Sequence, residues 1–497
     1  MQEKKIQFAN WKDEYQRKLV SAEEAVGAVK SGDRLFLTFA RDPFLLCQAL
    51  ANRYEELKDV QVNMMMAQTD PGWCEPERSD AFQATVGVFC GPMARDWLAD
   101  NKCDFLPHSF SMETKVFERP DEAKSWDVLM TVVSPPNELG YCSFGYTLWN
   151  KRRLALTAGT VLAEVDDNLI RTYGDNFIHV SEIDYFVENT QPILSEAEIP
   201  SALSHVEDEV RHQKMANILD FVDPVRRLDF MRYLNGLEND ELSDVETRLG
   251  AGEPTEEEKQ IAEYVSSLIK DGDTIQIGTG RPSARFAVLG VFDNKLDLGV
   301  HSEIGFRDLS RLMKEGIING KRKTLHPGKV VVTALGGGTD DMEFFHDNPA
   351  YEMYDCGYTN NPKIISANHN QVAINNALSV DLTGQITAET TFGTRIINGP
   401  GGQPDFAIGA ALSPGGRSIT CLPSIALDGV VSRIVPVLDE GSVITISRNY
   451  ADYIVTEYGI ARLMGKTIRE RANEMIAIAH PDFRAELRKK VQELFYP

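Results

Sequence analysis

The chain has 497 residues, of which 42% are hydrophobic and 25% charged, and this composition excludes an intrinsically disordered protein. Its 51 basic and 74 acidic residues sum to a net charge of −23, which opposes binding to a nucleic-acid backbone. The seven scattered cysteines lack CxxC spacing, so neither disulfides nor a zinc site is expected. The N-terminus lacks a signal-peptide core, and no stretch approaches the ~20 apolar residues of a membrane span. We therefore expect a cytoplasmic protein, or a processed organelle form, that does not bind membranes.

Two segments about half the chain apart resemble each other. Val29–Leu37 and Ile269–Ile277 each contain a Lys-x-Gly-Asp turn that leads from a helical pattern into an apolar strand. Such turns are common in α/β proteins, so one match could arise by chance. The half-length offset nevertheless predicts two domains of similar build.

Apolar runs separated by helical patterns predict an open α/β architecture with buried parallel strands. The capping-box pattern of Thr255 and Glu258 predicts the start of a helix that stops at Gly272, and the C-terminal segment predicts a helix broken at His480-Pro481. The strand candidates are Leu35–Phe39, Val128–Val133, Val161–Val165, Thr274–Ile277, Val330–Ala334, Lys363–Ala367 and Ser442–Ile446.

The region from Ser195 to Glu258 is rich in charged residues, and its apolar residues recur at helical spacing. This pattern predicts an acidic, helical connection between the two domains. A solvated insert is favoured over a partner-binding arm.

A glycine turn, Gly278-Thr279-Gly280-Arg281-Pro282, follows a predicted strand. Its glycines would let backbone N–H groups approach a ligand. A dinucleotide fingerprint is not satisfied, because Ser283 stands at the third glycine position. Taken alone, the pattern favours a tight strand-exit turn over a ligand site.

Glu303 lies at the end of an apolar strand, where α/β sheets expose their ligand crevice. Burial there would make it a candidate nucleophile or base, and His301 would share its face of the strand. The alternative is that Glu303 caps a helix that begins near Phe306. Taken alone, the pattern favours this alternative.

Two further patches contain turn residues. Asp381, within Asn375–Gln385, is expected to fold onto its own backbone. The Gly-Gly steps in the segments 398–406 and 413–417 would supply unencumbered N–H groups for an oxyanion hole, or else form a flexible loop. The chain has no GxSxG, HExxH or P-loop motif and no Cys/His cluster, so a hydrolase triad and a catalytic metal are not expected.

Together these patches resemble the acetyl-CoA hydrolase/transferase family, which includes butyryl-CoA:acetate, 4-hydroxybutyrate and succinyl-CoA:acetate CoA-transferases. The strings that carry the resemblance are SPPNELGYCSFG, GDNFIHVSEIDYFVE, HSEIGF, INNALSVDLTGQITAE, INGPGGQPDFAIGAALSPGG, SRIVP, YIVTEYGIARLMGKTIRERA and IAHPDFR. The resemblance implies two similar open α/β domains of the CoA-transferase (NagB/RpiA-like) type with the active site between them. It places the N-terminal domain at 1–201, an acidic helical insert at 202–253 and the C-terminal domain at 254–497.

The resemblance also implies the site residues. Glu303 corresponds to the catalytic glutamate, and Gly402 to the glycine of the oxyanion hole. The residues implied to contact coenzyme A are Gly278, Thr279, Gly280, Arg281, Pro282, Asn361, Leu378, Asn398, Gly401 and Gly402.

Some positions depart from the family pattern. Arg281 stands where a small or apolar residue is usual, and Leu427 replaces a lysine expected to help hold coenzyme A. Ile304–Asp308 and Ser379 also differ from the usual strings. These departures leave the substrate and part of the coenzyme A site open, but they do not affect Glu303.

The resemblance implies a ping-pong transfer of coenzyme A between short-chain acyl-CoA and small carboxylates, through a glutamyl-CoA thioester at Glu303. Coenzyme A would be a substrate rather than a permanently bound cofactor, and the enzyme would be a homodimer or homotetramer. The alternatives are an acyl-CoA hydrolase that uses the same glutamate and a non-catalytic acyl-CoA-binding protein. Because coenzyme A is anionic, local cations must offset the negative surface; the candidates are Arg281, Lys321-Arg322-Lys323 and Arg417.

Overall fold

The computed structural model describes residues 6, 8–39, 41–66, 70–88, 90, 92–113, 115, 126–190, 192–222, 227–249, 251–427 and 429–496. The chain forms two compact units, and each consists of two stretches of sequence. The first unit comprises Met1–Leu242 and Thr333–Tyr358, and the second comprises Ser243–Val332 and Thr359–Pro497.

The first unit contains a parallel seven-stranded sheet, with elements numbered along the whole chain. The strands of the whole unit are β1 (Arg34–Leu37), β2 (Val60–Met64), β3 (Phe82–Gly87), β4 (Asp104–Leu106), β5 (Val128–Val133), β6 (Tyr141–Ser143), β7 (Thr160–Val165), β8 (Tyr173–Gly174), β9 (Phe177–His179), β10 (Tyr185–Glu188), β15 (Ala334–Leu335) and β16 (Tyr351–Met353). The order across the sheet is β10-β7-β5-β1-β2-β3-β4. All six residues of β5 are buried, which explains its continuous apolar run.

The helices of the first unit lie between these strands and in the segment that follows β10. They are α1 (Trp11–Lys18), α2 (Ala22–Val26), α3 (Phe44–Ala51), α4 (Pro92–Ala99), α5 (Phe110–Glu113), α6 (Lys151–Thr157), α7 (Ile199–Ala202), α8 (Glu209–Phe221), α9 (Arg227–Asn235) and α13 (Thr339–Phe345). Helices α10 (Asn239–Leu249) and α14 (Cys356–Thr359) lie where the chain passes from one unit to the other.

The second unit is built around strands in the order β27-β26-β22-β17-β11-β12-β14. Neighbouring strands in this series are parallel except for the pair β26–β27. The strands of the unit are β11 (Thr274–Ile277), β12 (Gly299–His301), β13 (Ile304–Gly305), β14 (Val330–Val332), β17 (Gln371–Asn376), β18 (Ser379–Asp381), β19 (Ile386–Thr387), β20 (Thr390–Thr391), β21 (Arg395–Ile396), β22 (Arg417–Cys421), β23 (Ile425–Ala426), β24 (Val431–Ser432), β25 (Ile434–Val435), β26 (Tyr453–Thr456) and β27 (Gly459–Arg462). Its helices are α11 (Glu256–Leu268), α12 (Leu309–Lys314), α15 (Pro362–Ala367), α16 (Gln403–Leu412), α17 (Ile468–Ile478) and α18 (Arg484–Phe495).

The predicted repeat is confirmed by two turns of the same geometry. Asp33 accepts the N–H of Lys30 at 2.8 Å, and Asp273 accepts the N–H of Lys270 at 2.7 Å. The glycine before each aspartate has a positive φ, 81° in the first turn and 78° in the second. The turns lead into β1 and β11, which occupy equivalent places in their sheets. The predicted fold class, two similar open α/β units, is therefore confirmed.

The structure confirms the predicted start of α11 and the predicted break in the C-terminal helix. Thr255 and Glu258 form a reciprocal capping box at the start of α11, and the C-terminal helix is interrupted at Pro481–Phe483. Two strand predictions were wrong. Residues 363–367 lie in α15, because Asn361 caps a helix that Pro362 begins. Residues 442–446 form only an isolated bridge, between Ile386 and Ile446.

The connecting region is helical, as predicted, but it is not simply a solvated insert. Met215 and Ile218 of α8 and Leu234 of α9 are fully buried. Burial of these apolar side chains packs the two helices into the first unit.

The two units also differ from the domain boundaries drawn from the sequence, because residues 333–358 belong to the first unit rather than to a domain at 254–497. Strand β16 pairs with β8, and Thr147 forms a bridge with Ala334. These long-range pairings hold the segment in the first unit.

Candidate functional site

Three neighbouring parallel strands of the second unit end at one edge of its sheet. The glycine turn follows β11, Glu303 follows β12, and Asn376 ends β17. Because parallel strands share the same direction, their carboxyl ends lie at one edge of the sheet, which is where α/β proteins bind ligands.

Glu303 is buried, with 8% of its surface exposed, and its carboxylate accepts two hydrogen bonds. Asn360 Nδ2 donates to Glu303 Oε2 at 2.6 Å, and the backbone N–H of Gly402 is the second donor. The interpretation of Glu303 as a helix cap is wrong, because α12 begins at Leu309 with Asp308 as its N-cap residue.

Gly402 is the N-cap residue of α16, so the carboxylate of Glu303 faces the positive end of a ten-residue helix. A Cβ atom at Gly402 would lie 1.9 Å from Glu303 Oε2 and 2.1 Å from Asn360 Nδ2. Glycine is therefore required for the close approach of the carboxylate, rather than for an unusual φ, which is −93°.

Asn360 is held in place by its neighbours. The Oγ1 of Thr359 donates to Asn360 Oδ1 at 3.0 Å, which leaves the amide nitrogen facing Glu303. The Nε2 of His301 donates to the carbonyl oxygen of Thr359 at 2.9 Å. Burial lowers the pKa of His301 to about 3, so its imidazole is neutral. His301 therefore orients the segment that carries Asn360.

Burial raises the pKa of Glu303 to about 8, and the neighbouring buried carboxylate of Asp405 adds to the rise. The hydrogen bonds from Asn360 and Gly402 act in the opposite direction, because they stabilise the ionised form. A carboxylate that is desolvated yet faces two donors is suited to act as a nucleophile or base.

The glycine turn is held against the end of β17. A Cβ atom at Gly278 would lie 2.5 Å from Asn375 Oδ1, so this position requires glycine. The Nδ2 of Asn376 donates to the carbonyl oxygens of Thr279 and Gly280, both at 3.0 Å. These contacts place the turn next to the strand end that leads to Leu378.

The cations proposed to attract coenzyme A are mostly engaged within the protein. Arg281 forms an ion pair with Glu258, Arg322 with Asp297, and Arg417 with Asp273. The buried Lys323 donates to the carbonyl oxygens of Val300 and Lys329 at 2.8 Å. Leu427, at the position of the missing lysine, has 62% of its surface exposed.

The other residues implied to contact coenzyme A lie in a helix cap and in loops, where most of them form hydrogen bonds within the protein. Asn361 caps α15 by accepting the N–H of Lys363 at 3.0 Å. Leu378 donates its N–H to Thr387 at 2.8 Å, and Asn398 donates its N–H to Glu389 at 3.2 Å. Gly401, with a φ of 53°, immediately precedes Gly402.

Two residues of the site were not predicted from the sequence. Asn360, rather than Asn361, contacts Glu303, and Asn376 organises the glycine turn. The adjacent pair in the TNNP string was the available signal for Asn360. An asparagine immediately before Pro362 is positioned to cap a helix, which leaves the preceding asparagine for the site.

Comparisons with known proteins cover both units. The family model described as "Acetyl-CoA hydrolase/transferase N-terminal domain" matches residues 2–195, and the corresponding C-terminal domain model matches residues 337–491. In the part of the chain that the structure describes, every helix is too short or too polar to cross a lipid bilayer.

Curated relatives match over nearly their whole lengths. The 4-hydroxybutyrate coenzyme A transferase of Clostridium kluyveri is 37% identical, covering 98% of this chain and 100% of the relative. The butyryl-CoA:acetate CoA-transferase of Anaerostipes caccae is 31% identical, covering 97% of this chain and 98% of the relative.

Among solved structures, RipA from Yersinia pestis matches with a TM-score of 0.79 and 28% identity, covering 98% of this chain and 100% of that chain. The 4-hydroxybutyrate CoA-transferase of Porphyromonas gingivalis matches with a TM-score of 0.68 and 31% identity, again covering 98% and 100%.

Proposed function

Because the chain belongs to the acetyl-CoA hydrolase/transferase family, we propose that it transfers coenzyme A from a short-chain acyl-CoA to a small carboxylate, with Glu303 as the nucleophile. The observation that carries this proposal is the buried carboxylate of Glu303, which faces the amide of Asn360 and the N–H of Gly402. The glycine turn and the loop that ends at Gly402 are proposed to hold coenzyme A.

The proposed reaction begins when the carboxylate of Glu303 attacks the carbonyl carbon of the acyl-CoA. The carbon–sulfur bond breaks, the thiolate of coenzyme A leaves, and an acyl-glutamyl anhydride remains. The thiolate then attacks the glutamyl carbonyl and expels the first carboxylate, which gives a glutamyl-CoA thioester. An acceptor carboxylate reverses the sequence and leaves as the new acyl-CoA. Because a thiolate is a good leaving group, no general acid is required.

The two donors to Glu303 have a second role in this proposal. When the glutamyl carbonyl is attacked, negative charge develops on an oxygen close to the N–H of Gly402 and to Asn360 Nδ2. Donors that are already in place stabilise that charge without reorganisation. The same pair thus serves first the carboxylate and then the tetrahedral intermediates.

Steady-state kinetics test the proposed function. With a panel of short-chain acyl-CoAs and carboxylate acceptors, we expect double-reciprocal plots of parallel lines, because coenzyme A is held on the enzyme between two half-reactions. Release of coenzyme A over many turnovers without an acceptor would show an acyl-CoA hydrolase instead. Binding of acyl-CoA without turnover would show a non-catalytic protein.

The pH dependence provides a second prediction. The attack requires ionised Glu303, whose pKa is raised to about 8. We therefore expect kcat/KM for acyl-CoA to increase about tenfold per pH unit below that pKa and to level off above it. Asp405→Asn removes a neighbouring negative charge and should move the inflection to lower pH. A flat profile between about pH 6 and pH 9 would contradict the assignment.

The adjacent asparagines provide a matched pair of variants. Asn360→Ala removes a donor to Glu303 and should lower kcat by about 10²–10³-fold. Asn361→Ala removes a helix cap and should cost about 1 kcal/mol of stability while transfer activity is retained. Transfer kinetics and thermal unfolding of both variants check this division. A larger loss of kcat in Asn361→Ala than in Asn360→Ala would overturn it.

A further inference from the structure

Two parts of the second unit contact the glycine turn. One is the end of β17, which forms part of the site. The other is the N-terminus of α11 together with the segment before it. Arg281 and Arg285, which project from the turn and from the residues just after it, both reach this segment. These contacts connect the glycine turn to α11 as well as to the strand ends.

Arg281 forms a two-point ion pair with Glu258. Its Nε donates to Glu258 Oε1 and its Nη2 donates to Glu258 Oε2. The side chain of Glu258 is 3% exposed and that of Arg281 is 16% exposed, so solvent screens this pair little. A guanidinium that already binds a carboxylate at two points is poorly placed to receive a second one from a substrate.

The same carboxylate of Glu258 also closes the capping box of α11. Glu258 Oε2 accepts the backbone N–H of Thr255 at 3.0 Å. One side chain therefore joins the start of the helix to the glycine turn. Two backbone contacts strengthen this connection, since Arg281 Nη2 lies 3.4 Å from the carbonyl oxygen of Glu253 and Arg285 Nη2 donates to that of Gly252.

From the turn, contacts continue to the nucleophile. Asn376 donates to the turn, and its own carbonyl oxygen accepts from Gln403 Nε2 at 2.9 Å. Gln403 is the first residue of α16, and Gly402, which donates to Glu303, directly precedes it. A displacement of the turn would therefore move both the residues proposed to contact coenzyme A and the two donors to Glu303.

We propose that Arg281 and Glu258 form a latch that positions the glycine turn, and that Arg281 is a positioning residue rather than the receptor of a substrate carboxylate. This inference rests on the proposed function for its effect on coenzyme A transfer. The latch itself is a property of the fold and is testable without turnover.

Hydrogen–deuterium exchange of the peptide that covers residues 278–286 tests the latch directly. We expect Arg281→Gln and Glu258→Gln each to increase its exchange rate at least about tenfold, because either change breaks the partly buried ion pair that connects the turn to α11. The double variant should show no further increase. Glu258→Gln keeps an oxygen that can accept from Thr255, so the capping box survives. Lys259→Gln is the matched control, because it removes an exposed ion pair with Glu256 on the same helix.

Kinetics separate the positioning role from a receptor role. For Arg281→Gln we expect kcat/KM for the acceptor, measured at saturating acyl-CoA, to fall about tenfold, by the same factor for acetate and for succinate. A loss confined to the dicarboxylate would identify Arg281 as a receptor and overturn the proposal. Unchanged exchange of residues 278–286 in Arg281→Gln would also overturn it.

If the Arg281→Gln variant does not fold, Arg281→Lys replaces it, since lysine keeps the charge but loses the two-point contact. A wild-type protein without transferase activity would refute the proposed function, while the exchange data would still decide the latch.

Discussion

Glu303→Gln should lower kcat for coenzyme A transfer by at least about 10⁴-fold, which is the scale expected when a catalytic nucleophile is removed. Glutamine matches the shape of glutamate and can still accept one hydrogen bond from Asn360 or Gly402. The amide cannot form the anhydride or the thioester, so the loss reports chemistry rather than packing. Initial rates with acetate as acceptor measure it. Activity within tenfold of wild type would remove Glu303 from the proposed mechanism.

The stability of the same variant serves as its control. Folding raises the pKa of Glu303 from 4.5 to about 8, so the folded state prefers the protonated carboxyl group. The stability of the wild type is therefore lost progressively as pH rises through this window, and the penalty is complete above the folded pKa. Glu303→Gln has no such penalty. We expect its thermal midpoint to exceed that of the wild type at about pH 9 and the difference to shrink toward about pH 5.

Gly402→Ala should lower kcat by at least about 10²-fold, because a displacement of about 1 Å at the reacting group has that cost. The new methyl group would occupy space within 1.9 Å of Glu303 Oε2. Either the carboxylate moves away from the helix N-terminus or the loop before α16 shifts, and both changes separate Glu303 from its donors. Measurement of kcat together with KM for acyl-CoA shows which contacts are lost.

Gly338→Ala is the matched control for this variant. Gly338 is the N-cap residue of α13, with a φ of −88°, and a Cβ atom there meets nothing within 4 Å. Both variants therefore change an N-cap glycine with a negative φ, and only at Gly402 would the new methyl group collide with a carboxylate oxygen. Equal kcat values for the two variants would show that the close approach at Gly402 has no role in turnover.

The sequence predicted the features that depend on local chemistry or on a repeated pattern. The capping box at Thr255 and Glu258 formed as its residues required, and the two Lys-x-Gly-Asp turns proved equivalent. Glu303 and the glycine turn each follow a predicted strand. Because neighbouring parallel strands have their carboxyl ends at the same edge of a sheet, both could be placed at one edge.

Features that depend on distant contacts could not be predicted. Residues 333–358 belong to the first unit through the pairing of β16 with β8, which are far apart in the sequence. Pro362 indicates which of the two adjacent asparagines caps α15, but the contact of the other one, Asn360, with Glu303 joins residues that are 57 positions apart. Arg281 was predicted from the sequence to be a cation available to coenzyme A. Its ion-pair partner, Glu258, lies 23 residues earlier in the chain, so the pairing was not apparent. Only the folded chain brings the two side chains together.

Mass spectrometry of the protein after incubation with an acyl-CoA identifies the residue that carries coenzyme A between the two half-reactions. We expect coenzyme A to become covalently attached to the peptide that contains Glu303, and we expect addition of acetate to remove the adduct and yield acetyl-CoA. The variant Glu303→Gln should carry no adduct under the same conditions. An active wild-type protein whose coenzyme A adduct maps to another residue, or that shows no adduct during turnover, would refute the assignment of Glu303 as the nucleophile.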